Sequence, residues 1–361
     1  MKKIFLLFIS ISIFALSAFY QKPDSEAIMP KDKLSDYQFF EGNTADQKPA
    51  KGVLPYSLNT PLFTDYAEKL RFVKLPENQT VAYNATEVLD FPVGTTIIKT
   101  FYYPNDFRKP ELGRKLIETR LLIHEEDGWK ALDYVWNDEQ TEAFLEVAGD
   151  TKEVSYIDAN GKKKKHQYGI PNINQCKGCH NRNEKMSPIG PSARQLNGVL
   201  QSAAGGVSLG SGHSSEKSPD NQLVAWQKMG VLTNLPAIET VPKAAIWNKP
   251  ESGSIDERAR IWLDINCAHC HRKGGPAQTS GLNLSIHETE PIAYGIMKTP
   301  VAAGRGSGNR KYDIVPRKPD ESIIVYRMES TDPGIMMPEV GRKTTHKEGV
   351  ELIKEWIKAM K

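Results

Sequence analysis

The chain has 361 residues, 47 Lys and Arg against 44 Asp and Glu for a net charge of +3, and 39% hydrophobic residues. At about 150 residues per domain, that length predicts two or three folding units. The near balance of charge supplies no field of the kind that gathers nucleic acid, and the apolar content excludes a wholly disordered chain.

The opening "MKKIFLLFISISIFALSAFYQ" sets Lys2 and Lys3 before an apolar run from Ile4 to Phe14, followed by the small residues Ala15, Ser17 and Ala18. This is the layout of a cleaved secretory signal peptide over residues 1–18. The run is shorter than the roughly 20 apolar residues of a membrane span, so no span is expected after cleavage. No cysteine follows it, which excludes lipid attachment there. The expected location is therefore outside the cytoplasm, in the periplasm or on the cell surface.

Residues 19–165 read as a β-rich, antiparallel sandwich-like domain. Alternating runs "TTIIKTFYY", "KLIETRLLIH", "WKALDYVW", "EAFLEVA" and "EVSYIDA" are separated by hairpin signals at Asp127-Gly128 and Asn160-Gly161. Lys162 to Lys165 form a basic run that reads as a solvated turn, with docking of an acidic partner as the alternative. There is no GxSxG, no HExxH and no glycine-rich phosphate loop, so no catalytic constellation is predicted in this third.

All four cysteines lie in two copies of one pattern, "CKGCH" at 176–180 and "CAHCH" at 267–271. Two thiols at this spacing reach the two vinyl groups of one haem, and the following His falls beneath the iron. A zinc site would need its CxxC pairs far closer together in sequence, and a thioredoxin-like pair does not require the His. The spacing predicts two covalently bound haem c groups: one on Cys176 and Cys179 with His180 as axial ligand, and one on Cys267 and Cys270 with His271. His269, between the second pair, is expected to be exposed. An even cysteine count in an exported chain would otherwise predict disulfides; here none are expected.

The two motifs fall in two mainly α, cytochrome c-like segments, 166–250 and 251–361. In the first, Pro171 and the Asn-rich stretch predict an extended approach to the motif, and "NQLVAWQKMGVLTNLP" predicts a helix ending near Gly230 behind a Gly/Ser-rich loop. The distal ligand of this haem is Met229, with Met186 as the alternative; His166 and His213 offer nitrogen, and an iron left five-coordinate is a further reading. In the second, Ser254 and Glu257 form a capping signature before Ile255, Ala259, Trp262 and Ile265, and Thr345 and Glu348 repeat it before a C-terminal apolar stripe. Helix, CxxCH, loop, Met and terminal helix is the order of a small class I cytochrome c. In "STDPGIMMPEVGR" the Met before Pro, Met337, is the expected distal ligand rather than Met336, and thioether sulfur suits haem iron. Arg327 is a candidate partner for a haem propionate.

On "YSLNTPLFTDYAEKLRFVKLP", "DFPVGTTIIKTF", "ETRLLIHEEDGW", "YVWNDEQTEA", "IPNINQCKGCH", "SPIGPSARQLN" and "IVPRKPDESIIVYRMESTDPGIMMPEVGR", the chain resembles a family of exported diheme c-type cytochromes over almost all of its mature length. The resemblance implies redox partner proteins, a dehydrogenase as donor and a cytochrome or oxidase as acceptor, and an association with periplasmic sugar-dehydrogenase-like or parallel β-helix proteins. It carries over the two CxxCH motifs and Met337, and no distal ligand for the first haem. Electron transfer is the expected function. A diheme peroxidase or oxidase with an open first haem is the alternative, and a glycan- or protein-binding β domain wired to two haems is the third reading.

Overall fold

A computed structural model describes residues 29–200 and 221–361. The expected signal peptide, the Gly/Ser-rich loop and His213 lie outside the described residues. No helix among those described is long and apolar enough to cross a membrane.

Strands β1 (Val53–Pro55), β2 (Glu68–Lys74), β3 (Val81–Ala82), β4 (Thr96–Pro104), β5 (Arg114–Glu125), β6 (Gly128–Trp136), β7 (Ala143–Leu145), β8 (Asp150–Ile157) and β9 (Lys163–Ile170) make up the N-terminal region. Six of them form one antiparallel sheet in the order β1-β2-β4-β5-β6-β7, and β8 and β9 form a separate hairpin. The central strand β4 is buried along almost its whole length on both faces, with apolar residues on either side of Lys99 and Thr100. The hairpin at Asn160-Gly161 forms with Gly161 at φ +78°, a backbone state glycine adopts without strain. The other predicted turn closes one residue earlier, between Glu125 and Gly128.

The region is built on the six-stranded sheet, with the two-stranded β8–β9 sheet packed on part of one face. One face of the six-stranded sheet packs Leu70, Phe72, Ile98, Leu121 and Trp136 against Leu34, Phe39 and Phe40 of the preceding segment. At one end of the other face, Phe101, Ile117 and Tyr103 pack with Val154 and Tyr168 of the β8–β9 hairpin. Further along that face Val73, Ile97 and Leu122 share a core with Ala193, Leu196, Leu223, Trp226 and Leu232. A sheet with two apolar faces must be covered twice, and here the β8–β9 hairpin covers one end of the second face and segments of the rest of the chain cover the remainder.

The C-terminal region is more helical, with α1 (Ile173–His180), α2 (Ala193–Leu196), α3 (Gln222–Lys228), α4 (Ile255–Leu263), α5 (Ile323–Glu329) and α6 (Lys347–Ala359). The helix predicted before Gly230 is α3, capped by Asn221. Residues 232–233 pair in parallel with β3, so the segment around α2 and α3 has no core separate from the sheet. By contrast, α4, α5 and α6 enclose a core of their own, with Ala259, Trp262, Leu263, Val325, Met328, Ile353 and Trp356. Ser254 caps α4 through the expected box with Glu257. The second expected box does not form: Thr345 Oγ1 donates to Glu329 O at 3.2 Å, and Glu348 accepts from Tyr66 Oη at 2.8 Å, tying α6 to the β region.

Candidate functional site

The first motif is carried on a helix rather than by the extended approach predicted. Strand β9 runs in as far as Ile170, Pro171 ends it, and Asn172 then starts α1 by a reciprocal capping box with Gln175. The Asn-rich stretch reads as a breaker of long helices, yet Asn is also a strong N-cap, and that role wins here. None of the residues of α1 is buried, so the helix leans on its surroundings rather than on a hydrophobic stripe. The second motif leaves α4 through a π-helical turn over Asp264–Ala268, which contains Cys267.

These two motifs, far apart in sequence, touch in the fold. Cys270 Sγ lies 4.0 Å from Gly178 O, and Asn183 N donates to Gly274 O at 2.7 Å. Hydrogen bonding with Cys270 lowers the Cys179 thiol against the opposing effect of burial, while the same contact pushes Cys270 up. All four cysteines are free thiols. Among the described residues, no three His, Cys, Asp or Glu side chains are gathered to hold a metal ion.

Each motif histidine has one nitrogen committed and one left over. His180 Nδ1 lies 2.8 Å from Ser187 O, and because a carbonyl only accepts, the ring proton must sit on Nδ1. His271 Nδ1 lies 3.1 Å from Ser280 Oγ, whose own hydrogen is directed to Ala277 O at 2.7 Å, so the ring donates there too. In both rings the tautomer leaves the Nε2 lone pair for a ligand, the arrangement in which a second partner orients an imidazole for metal. Partial burial depresses both rings, His180 to about 3 and His271 to about 4, so both are neutral at pH 7.

Between the sheet and the first motif lies a cavity that is partly open to solvent. Its walls are apolar at Leu58, Leu62, Ile189, Trp262, Ile265 and Val340, and Cys176, Cys179, His180, His269 and Met337 face it. A second, smaller space lies behind it, and Cys179, His180 and His269 line both. At the first motif, free paired thiols, an imidazole with a spare Nε2 and an apolar cleft fit a covalently held haem; at the second, the thiols and the imidazole are in place but line neither space.

His269 is therefore not the exposed residue expected of it; it is half-buried at the junction of the two spaces, with Nδ1 enclosed and without a hydrogen-bond partner. Met337 faces the larger cavity, whereas Met336 is buried at 6% exposure. Met229 ends α3 at 39% exposure and lines neither space, and Met186 pairs with Asn181 and packs into the core behind the sheet. His166 lies on β9, 3.3 Å from Tyr103 Oη, and it too lines neither space. Arg327 donates from Nε to Ile335 O at 2.8 Å, so part of its guanidinium is spent on the loop that carries Met337.

That loop is fixed by two buried residues that no motif signals. Arg342 donates to Met337 O and Ser330 O, both at 2.8 Å, and to Arg327 O at 3.3 Å. Asp65, next to β2, accepts from Lys343 N, Thr344 N and Thr344 Oγ1 at 2.7–2.9 Å. Lone charged residues in loops carry no periodicity, so only the fold reveals them.

Glu87 joins the two motifs from the β side. It accepts from Arg182, two residues past His180, and from Arg272, directly after His271, each with one contact at 2.7 Å. Burial alone would raise its carboxyl, but the hydrogen bonds from the two guanidinium groups outweigh it and hold the group below the usual range. A depressed acid contributes stability above its unfolded pKa of about 4.3 and loses it as pH falls through the folded value. Glu87→Gln should cost about 1–2 kcal/mol at pH 7, two ion pairs at up to roughly 1 kcal/mol each. In urea titrations, the gap to the unsubstituted protein should close as the pH is taken from 7 to 3.

No family model, curated protein or solved structure matches the chain.

Proposed function

We propose that the protein is an exported diheme c-type cytochrome that passes electrons from a dehydrogenase-type donor towards a respiratory acceptor, with two cytochrome c-like segments built against a β region. The observation that carries this reading is the pair of CxxCH motifs in contact, each with its histidine Nδ1 hydrogen-bonded and its Nε2 free. Haem bound at each motif supplies reversible one-electron chemistry. The chain's own residues do the rest. Cys176, Cys179, Cys267 and Cys270 provide the attachment points, and His180 and His271 are held in the ligating tautomer. Ser187 and Ser280 orient the rings. Contact between the motifs keeps the two groups within short range of one another. Arg342 and Asp65 hold the Met337 loop against the cavity.

Met337 is the sulfur ligand in this reading, and Pro338 and Val340 beside it help close the cavity. Met337→Ala should abolish the far-red sulfur-to-iron band of the oxidised protein and lower the potential of one centre. An intact band would remove Met337 from the ligand set. Redox titration should show two c-type centres, at least one at high potential.

A further inference from the structure

The cavity face of the sheet carries a feature that the proposed function does not use. Strand register places Arg71 opposite Lys99 and Lys99 opposite Arg120, so three cations stand in one row across β2, β4 and β5. Lys69 stands two residues along β2 from Arg71, and all four line the cavity with Cys176, Cys179 and His180. Like charges directly opposite one another destabilise a sheet, so such a row needs a compensating charge.

Arg120 has that charge from the protein, in Glu118 and in Asp133 at 3.5 Å. The other three do not. Lys69 Nζ donates to Leu62 O at 3.1 Å and Arg71 donates to Lys69 O at 3.4 Å, both neutral acceptors. The Lys99 ammonium lies 5.0 Å from the centre of the Phe101 ring. Among the described residues, no carboxylate forms an ion pair with Lys69, Arg71 or Lys99. Burial, and after it the neighbouring cations, lower both lysines to about 7, outweighing Glu68 beside Lys69 and Glu118 near Lys99.

We propose that Lys69, Arg71 and Lys99 form a seat for a carboxylate or similar oxyanion in the cavity beside the first motif. The group has two sources. One is the carboxylate arms of the haem that Cys176 and Cys179 would hold, which rests on the function proposed above. The other is a free small oxyanion entering from the open side of the cavity. Either supplies the counter-charge that keeps Lys69 and Lys99 protonated beside Arg71 and so completes a charge-assisted hydrogen-bonding site. In either case the β region is a working part of the first site rather than an attached module.

The test uses the full-length holoprotein and the variants Lys99→Gln and Arg71→Gln, with Lys69→Gln at the end of the row as a third should either fail to fold. Two readings are taken on each: the midpoint potentials of both centres, and the thermal midpoint during titration with inorganic phosphate against chloride at equal ionic strength. If the seat holds haem carboxylates, losing a cation favours the oxidised form of the nearer centre. One potential should fall by about tenfold in equilibrium constant, about 59 mV for one electron, while the other stays put and phosphate acts as chloride does. If the seat holds a free oxyanion, phosphate should raise the thermal midpoint saturably in the unsubstituted protein and not in the variants. Unchanged potentials together with phosphate indistinguishable from chloride would overturn the seat, with the haem reading left standing. A protein that carries no haem would overturn the function proposed above, and the phosphate titration would still test the seat.

Discussion

Replacing Cys176 and Cys179 together by alanine is expected to leave a protein with one covalent haem instead of two, and the Cys267→Ala, Cys270→Ala pair is expected to do the same. Intact mass should fall by one haem in each, and the reduced absorption band should drop to about half. The two variants should differ in stability. Helix α1 buries none of its own residues, so the first motif depends on what occupies the cavity beside it. Helix α4 belongs to a core with Trp262, Ile353 and Trp356, which Cys267 only borders. A ligand that binds only the folded state stabilises it, and the segment with the weaker core should lose more when its ligand is removed. The Cys176/Cys179 variant should therefore show the larger fall in thermal midpoint, measured by circular dichroism. An equal fall in both would remove the argument from α1, and an unchanged mass in both would remove the attachment itself.

The second large effect is expected at Asp65→Ala. Asp65 is 2% exposed and its carboxylate is the acceptor for the backbone of Lys343 and Thr344 and for the Thr344 hydroxyl. Removing it strands part-buried donors and cuts the tie between the segment before β2 and the loop behind Met337. A hydrogen bond to a charged group contributes about 1.5–3 kcal/mol, so losing several together should cost about 3 kcal/mol or more in urea unfolding. The same change should weaken the sulfur-to-iron band, because the loop would then be held only from its own side of the molecule, by Arg342 and Arg327. A cost below about 1 kcal/mol, the range of an exposed pair, would show that the loop is fixed by other contacts.

How much of this was legible in the sequence varies with the kind of signal. The β4–β6 meander could be read because alternation and turn residues are local properties, and α4 because its capping box precedes its apolar face. Strands β2 and β9 were harder. "EKLRFVK" and "KKKHQYGI" are rich in charge, and only the fold explains the cations of β2: they face a cavity instead of solvent. Helix α1 was hidden because Asn172 serves equally as loop residue and as cap. The Thr345/Glu348 box failed because both side chains found tertiary partners that outcompeted the local ones.

The site divides along the same line. The CxxCH motifs are contiguous, so the thiols and their histidines are visible in any reading of the chain. Their mutual contact is not, since it depends on how the segments around them cover one sheet. Arg342, Asp65 and Glu87 are single residues with no pattern around them. The cationic row is spread over three strands and appears only once the register of β2, β4 and β5 is known. Met229 had the right distance from its motif in sequence, yet it ends α3 on the surface and faces neither cavity.

The most direct test of the central claim is the intact mass of the protein exported from a host with c-type haem maturation, read with the reduced absorption spectrum of the same sample. Two covalently attached haems per chain, with the sharp reduced band of c-type centres, are the predicted result. A chain at its polypeptide mass with no visible absorption, after export alongside a c-type cytochrome that matures normally, would contradict it.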